Sequence, residues 1–323
     1  MSPSPASQGL SLPDMVASAL IEAVRLSKTK GRRIRLDDVS LSVARGDLYA
    51  LVGEAGSGKT ALLRALVGLA RADTGSARVM GEVAGPDAYR VFGRVGFLPG
   101  DLPVRRGLSV RRDVETGLSL AGVRDPEAAR RALSLVGIED LAEQPAHSLG
   151  DDSRRLLGIA RAIAHSPELL VLDEPTRGLG GVERRRILDL LRMLSVEREV
   201  TMIVATRVAD GVVELASRVG VMRGGGLVAE FDRDGLRERG REHVEVVVSD
   251  PPRAALVLEE RLGLTDFAVC QEHLIRIYVP GTRISEINSV LVAEGIEVAR
   301  LAVNPGSLEE LLERLSTGEA APR

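Results

Sequence analysis

Aromatic residues are scarce: four Phe, three Tyr and no Trp in 323 residues, with none before Tyr49. Cysteine is scarcer still. Cys270 is alone, which excludes an intrachain disulfide and a thiolate metal cluster and fits a reducing compartment. Lysine is almost absent, with three residues against forty arginines. The net charge is only −3, so bulk electrostatic binding to nucleic acid is not expected. Arginine pairs such as Arg105-Arg106, Arg111-Arg112 and Arg154-Arg155 are read as solvated helix faces. The four histidines (His147, His165, His243, His273) lie far apart without metal-ligand spacing and are read as structural or surface residues. No apolar run reaches the length that spans a bilayer. The first basic residue is Arg25 and Pro13-Asp14 interrupt the N-terminal apolar stretch, so no signal peptide is expected. Residues 1–18, rich in Ser, Pro and Ala, are expected to form a loose tail.

One of the three lysines sits in Gly53-Glu54-Ala55-Gly56-Ser57-Gly58-Lys59-Thr60, which fits G-x-x-x-x-G-K-[ST] at every fixed position. Residues 47–52 before it read as an apolar strand. Residues 60–70 after it read as a helix, with Leu62, Leu63, Leu66, Val67 and Ala70 on one face. Strand, glycine loop and helix together make a phosphate cradle, because backbone N–H groups turn inward and the helix N-terminus adds a positive dipole end. In such a cradle Lys59 reaches the terminal phosphates and the Thr60 hydroxyl binds Mg2+. A carboxylate at the end of a neighbouring strand completes the metal site. Residues 169–172 are the most apolar strand of the chain, and Asp173 ends it. Glu174 follows, placed to act as general base toward water.

Periodicity gives strands at 19–24 and 34–43, then the cradle, then strand-like segments at 77–83 and 90–98. Helices are expected at 109–120, 127–136 and 152–164, with Gly137 as a C-cap. Strands return at 169–172 and 200–205, with helices at 182–194 and 209–216, and a strand pair flanks Gly224-Gly225-Gly226. This alternation predicts an α/β sheet of strongly parallel character. The charged stretch 233–241 reads as a linker. Beyond it the order is βαββαβ, the ferredoxin-like pattern, with a last helix at 308–315.

The stretches Gly53 to Thr60, Gly158-Ile159-Ala160-Arg161-Ala162 and 169–175, in this order, resemble the ATP-binding cassette of ABC transporters over about residues 20–235. The closing stretch 305–312 is similar to the C-terminal domain of bacterial drug-export cassettes of the bacitracin and daunorubicin resistance type. The resemblance implies a P-loop NTPase cassette at 19–235 with a helical subdomain at about 102–166, followed by a small α+β accessory domain at 242–323. It implies Mg-ATP as ligand and a homo- or heterodimer of cassettes that sandwiches ATP. It also implies a separate transmembrane permease as partner and a peripheral place on the cytoplasmic side of the membrane. ATP hydrolysis would energise export. A cassette that holds ATP as a structural or gating ligand is the alternative, and a soluble ABC-type ATPase a third reading. A GTPase is not expected, because no N-K-x-D guanine motif is present.

Several positions depart from the family pattern. The aromatic expected to stack on adenine falls at Lys30. The Q-loop position is Gly100, with Asp101 as a shorter substitute. The signature is represented by Ser148-Leu149-Gly150-Asp151, two residues further from Ile159 than usual, so Ser148 is the contact it offers. The D-loop reads Gly178-Leu179-Gly180 and lacks its carboxylate. At the switch-histidine position, after Thr206, stands Arg207, which cannot accept a proton at neutral pH. With no ring to stack on the base, nucleotide binding should discriminate weakly among bases. GTP is expected to displace ATP nearly as well as unlabelled ATP does in a competition measurement.

Overall fold

The computed structural model describes residues 19–31, 33–85, 91, 93–103, 105–207, 211–239, 243–271, 273–278, 283–304, 312 and 315–317. They divide into two compact units, one running to Asp232 and including Leu312, the other beginning at Arg233.

The first unit opens with two long strands, β1 (Ala19–Lys30) and β2 (Arg33–Ala44), paired antiparallel around Gly31. Gly31 turns at φ 62°, where a side chain is disfavoured. Then follow β3 (Leu48–Val52), α1 (Lys59–Leu66), β4 (Thr74–Val79), β5 (Glu82–Val83) and β6 (Val95–Leu98). Three helices come next: α2 (Val110–Leu120), α3 (Ala128–Val136) and α4 (Asp151–Ile163). The unit continues with β7 (Leu169–Asp173), α5 (Gly181–Val196), β8 (Thr201–Thr206), α6 (Val212–Leu215), β9 (Arg218–Arg223) and β10 (Gly226–Asp232).

The strands form two sheets. One has the order β10-β9-β3-β8-β7-β6. It is parallel from β9 through β6, with β10 antiparallel at one edge. The other, β2-β1-β4-β5, is wholly antiparallel. The expectation of a strongly parallel sheet therefore holds for the central strands and needs correction for the first two. Their alternating burial suits a hairpin with one face packed and one face wet. Strands β3, β7 and β8 are buried at every residue, as strands covered on both faces must be.

In the helical segment, Ser109 caps α2 by accepting from the Arg112 amide, and Gly137 ends α3 at φ 78°. Asp113 on α2 is fully buried and pairs with Arg161 of α4 at 3.2 Å and with Arg105 at 3.6 Å. A buried carboxylate needs such counter-charge, so the three side chains bind α2 to α4 and to the stretch leading out of β6.

The second unit begins with α7 (Arg233–Arg239), where a linker had been expected over 233–241. Leu236 within it is buried, giving the charged segment an apolar anchor. Strand β11 (His243–Val248), α8 (Pro251–Leu262), β12 (Phe267–Gln271), β13 (Leu274–Ile277), α9 (Ile284–Ala293) and β14 (Val298–Asn304) follow. The sheet order is β12-β13-β11-β14, antiparallel throughout. Its own core joins Val244, Val246, Ile275 and Ile277 to Leu258 and Leu291 of the helices. Of the expected last helix at 308–315, residues 308–311, 313 and 314 lie outside the described residues; Leu312 and Leu315 are helical.

The entry to the parallel sheet is tied by charge. Arg94 before β6 donates twice to Glu168 before β7, at 2.6 and 2.8 Å, and Arg45 before β3 adds a contact at 3.3 Å. The Arg94 hydrogen bonds hold the Glu168 carboxyl down to about 2, from an ordinary value of 4.5. A depressed carboxyl contributes stability above its unfolded value and loses it as pH falls toward the folded one. Glu168→Gln should therefore flatten the acid limb of the unfolding curve between about pH 4.5 and 2. At neutral pH its cost should stay below about 1 kcal/mol, because the side chain is 41% exposed and screened by solvent. Urea denaturation across that pH range measures both effects.

Candidate functional site

Register places the chemistry. Val52 of β3 pairs with Thr206 of β8, Asp173 of β7 pairs with Ala205, and Leu98 of β6 pairs with Leu172. The cradle after Val52, the Asp173-Glu174 corner, the Thr206-Arg207 end and the Pro99-Gly100 turn therefore line one edge of the sheet. They leave its strands in the spatial order β3-β8-β7-β6. In parallel α/β sheets this carboxyl edge is where ligands bind.

The glycine loop is built so that side chains cannot intrude. A Cβ on Gly53 would lie 2.3 Å from the Met222 carbonyl oxygen. A Cβ on Gly58 would lie 2.7 Å from the Arg35 carbonyl oxygen, and Gly58 also sits at φ 112° as the N-cap of α1. Lys59 is only 5% exposed. Its ammonium donates back into the loop, to Gly53 O at 2.5 Å and to Glu54 O at 2.9 Å. Ser57 Oγ lies at 3.5 Å from the same nitrogen. The ammonium is thus held at the mouth of the cradle on acceptors that a phosphate can replace.

Thr60 Oγ1 donates to Asp173 Oδ2 over 2.8 Å. Burial pushes the Asp173 carboxyl above its ordinary range; the Thr60 hydrogen bond opposes this, and the charge of Glu174 adds to it. Arg155 stands behind the corner. Its guanidinium donates to Asp173 O at 3.4 Å and to Gly100 O at 3.3 Å, tying the ends of β6 and β7 together. Burial lowers the Arg155 pKa, with Arg177 adding to the fall. Reading Arg154-Arg155 as a solvated pair is therefore wrong for Arg155, which is 6% exposed. Its role was missed because its acceptors lie 18 and 55 residues away.

Glu174 has φ 50° and donates its amide to Ala205 O at 2.8 Å. Its carboxylate lies 3.4 Å from Arg177 Nη1 and 4.0 Å from Arg207 Nε. Arg177 was not singled out from the sequence; its place three residues after Glu174 was the available signal.

The other sequence positions fare unequally. Asp101 is drawn to Arg64 of α1 at 2.7 Å, so it serves as a partner to that helix. Ser148 ends a short 3-10 turn and donates to Pro145 O at 2.8 Å. Gly150 is the N-cap of α4, and Asp151 and Asp152 fill its first turn with exposed negative charge. Gly180 is the N-cap of α5, where a Cβ would meet Glu183 Oε2 at 2.8 Å. Lys30 ends β1 and is exposed.

A glycine loop between a buried strand and a helix, with an acidic corner two strands away, defines a P-loop nucleotide-binding fold. The chain belongs to the ABC transporter family, as one of its ATP-binding proteins. The family model described as ABC transporter matches residues 36–177. A bacitracin transport ATP-binding protein, BcrA of Enterococcus faecalis, is 31% identical over 310 residues, covering 94% of this chain and 98% of that protein. Its namesake from Bacillus licheniformis is 28% identical, covering 93% and 98%. The linearmycin resistance ATP-binding protein LnrL of Bacillus subtilis is 26% identical, covering 92% and 98%. In fold, the first unit is like a solved dimeric bacterial ABC transporter cassette: TM-score 0.61, 23% identity, 66% of this chain and 98% of that one.

Gly100 offers a direct check on the corner. A Cβ there would lie 2.8 Å from Asp173 Oδ2. Gly100→Gln, although it supplies the side chain common in the family, should displace the carboxylate and weaken magnesium-dependent nucleotide binding by about tenfold or more. Titrating Mg2+ against a fixed concentration of fluorescent nucleotide would measure it.

Proposed function

We propose that this chain binds Mg-ATP at Gly53–Thr60 and hydrolyses it at Glu174 to energise an export-type transporter through a separate transmembrane permease. The observation that carries the reading is the convergence of the glycine loop, Asp173 and Glu174 on one sheet edge, joined by the Thr60–Asp173 hydrogen bond.

Gly53, Glu54, Ala55, Gly56, Ser57 and Gly58 wrap the phosphates with backbone N–H groups, and Lys59 moves from the loop carbonyls to the terminal phosphates. Thr60 and Asp173 hold Mg2+. A hydroxyl and a buried carboxylate are hard oxygen donors of the kind that ion takes, and the remaining ligands come from phosphates and water. When bound, the ion neutralises charge that develops on the phosphate oxygens. Glu174 accepts a proton as water attacks the terminal phosphorus and the bond to the bridging oxygen breaks, giving ADP and phosphate.

Turnover is slow in this reading, because Gly100, Gly180 and Arg207 replace side chains that would position water or sense the partner. The alternative, ATP held as a gating ligand, is not favoured by relatives named as transport and resistance ATP-binding proteins. Two copies, or one copy and a related cassette, sandwich ATP, with Ser148 as the contact each offers its neighbour's nucleotide. The protein works at the cytoplasmic face of the membrane as a peripheral subunit; among the described residues no helix is long and apolar enough to cross it. The relatives named for bacitracin transport and linearmycin resistance support export as the direction. The βαββαβ segment of the second unit, Arg233–Leu311, is in this reading the ferredoxin-like accessory domain expected over 242–323, although the stretch from Leu312 groups with the first unit.

Lys59→Ala should abolish ATP binding in an equilibrium titration. Glu174→Gln should keep binding and lower single-turnover hydrolysis by about a hundredfold or more. A hydrolysis rate unchanged by Glu174→Gln would remove the motor role and leave the gating one.

A further inference from the structure

At the edge of the parallel sheet opposite the nucleotide corner lies a cavity of about 650 Å³. It is bounded by the approaches to β3, β7 and β8, by one face of α3 and by the ends of α4 and α5. Small-molecule sites fall in this size range. Ala132, Leu135, Ile163, Leu170 and Leu194 form its apolar wall, and no aromatic residue lines it. Leu135 is 39% exposed, so part of this aliphatic surface is left uncovered. No residue of the glycine loop or of the acidic corner takes part.

The polar groups of the wall are mostly donors. Arg45, Arg130, Arg131 and Arg198 line the cavity, against two carboxylates, Glu168 and Glu199. A guanidinium carries five N–H groups and no acceptor. Arg45 uses one of them on Glu168, Arg131 one on Asp125, and Arg130 two, on Glu127 and Glu139. Arg198 forms no hydrogen bond or ion pair among the described residues. Glu168 already accepts three bonds, two of them from Arg94 outside the cavity. The C-termini of α4 and α5 each add roughly half a negative charge, and the four guanidinium groups outweigh these and both carboxylates.

We propose that this cavity binds an aliphatic oxyanion, an alkyl chain ending in a carboxylate or phosphate, with the chain on the apolar wall and the head on the guanidinium groups, Arg198 first. An oxyanion supplies acceptors, which a donor-rich wall needs, and guanidinium forks fit carboxylate and phosphate alike. A flexible chain suits a wall without rings, and each methylene buried there raises affinity roughly fourfold. A ligand so seated touches α3 and the approaches to β7 and β8 at once, bridging the helical segment to the sheet. Its place is apart from the nucleotide, so the two bind together.

The test is calorimetric titration of the full chain with decanoate and with decyl phosphate, each below its micelle concentration. One-to-one binding of either supports the site, and the tighter of the two identifies the head group it takes. Decyltrimethylammonium and butyrate should each bind about tenfold or more weakly than decanoate. Arg198→Gln is expected to weaken decanoate about fivefold, and Arg198→Lys, which keeps the charge, to lose less. Leu135→Asn, at a half-exposed position, should weaken decanoate about threefold by removing apolar wall. Unchanged thermal unfolding midpoints show that the variants are folded. Decyltrimethylammonium binding as tightly as decanoate would remove the anion from the proposal, and butyrate binding as tightly would remove the chain. Decanoate affinity unmoved by both Arg198→Gln and Leu135→Asn would place the ligand elsewhere on the surface. Any of these results overturns the proposal, as does the absence of saturable binding to the wild type.

Discussion

The 2.8 Å hydrogen bond from Thr60 to Asp173 joins the helix leaving the glycine loop to β7, one of the three strands of the sheet buried at every residue. Asp173 is 3% exposed, and a carboxylate there is costly unless something replaces water. The surroundings are arranged to make it tolerable. Thr60 supplies a donor, Gly100 supplies room by having no side chain, and Arg155 supplies charge from behind while holding the backbone on both sides. The residual penalty is visible in the raised pKa of Asp173, for which burial is the largest cause. A buried carboxylate left short of donors is a good ligand for a small hard cation, which is the use the site proposes for it.

The sheet makes this possible because its strands cannot slip. A one-residue shift in a strand would send every side chain to the opposite face. In β3, β7 and β8 both faces are packed, so a slip would also misplace Val52, Asp173 and Thr206 relative to one another. The site's precision is thus inherited from apolar packing between strands. At the opposite edge, Arg94, Arg45 and Glu168 bind the starts of β6, β7 and β3 by charge. The helical segment is connected through the buried Asp113, which holds Arg161 of the same helix that carries Arg155.

Local patterns made part of this legible in the sequence. The glycine loop, the buried runs of β3 and β7, the helix capped by Gly137 and the acidic corner each declare themselves within a few residues, because backbone geometry and burial on both faces act locally. The fate of charged side chains does not. Arg155 lies beside Arg154 in a polar-looking turn of helix, yet it is buried because two distant carbonyls need a donor. Asp101 read as a substitute for a missing glutamine, yet Arg64 holds it. The charged segment at 233–241 read as a linker, yet Arg233–Arg239 is a helix in which Leu236 is buried. The antiparallel first sheet was hidden for a different reason. Alternation marks a half-buried strand but does not name its partner.

The departures from the family pattern are not independent losses. Gly100 lacks a side chain where a Cβ would lie 2.8 Å from Asp173 Oδ2, so the missing glutamine and the position of the carboxylate are one packing fact. Arg155 fixes that packing by holding Gly100 O and Asp173 O together. The same guanidinium is electrostatically coupled to Glu174 and Arg177, and Glu174 in turn faces Arg207 at the switch position. A change at any one of these positions alters the electrostatic balance of the others. Like charges crowd Arg155 and Arg177, and the carboxylates of Asp173 and Glu174 offset that repulsion. Gly100 and Arg207, which look degenerate one at a time, therefore belong to one connected cluster around Asp173 and Glu174. Its natural counter-ion is the phosphate chain of the nucleotide that the glycine loop is shaped to hold.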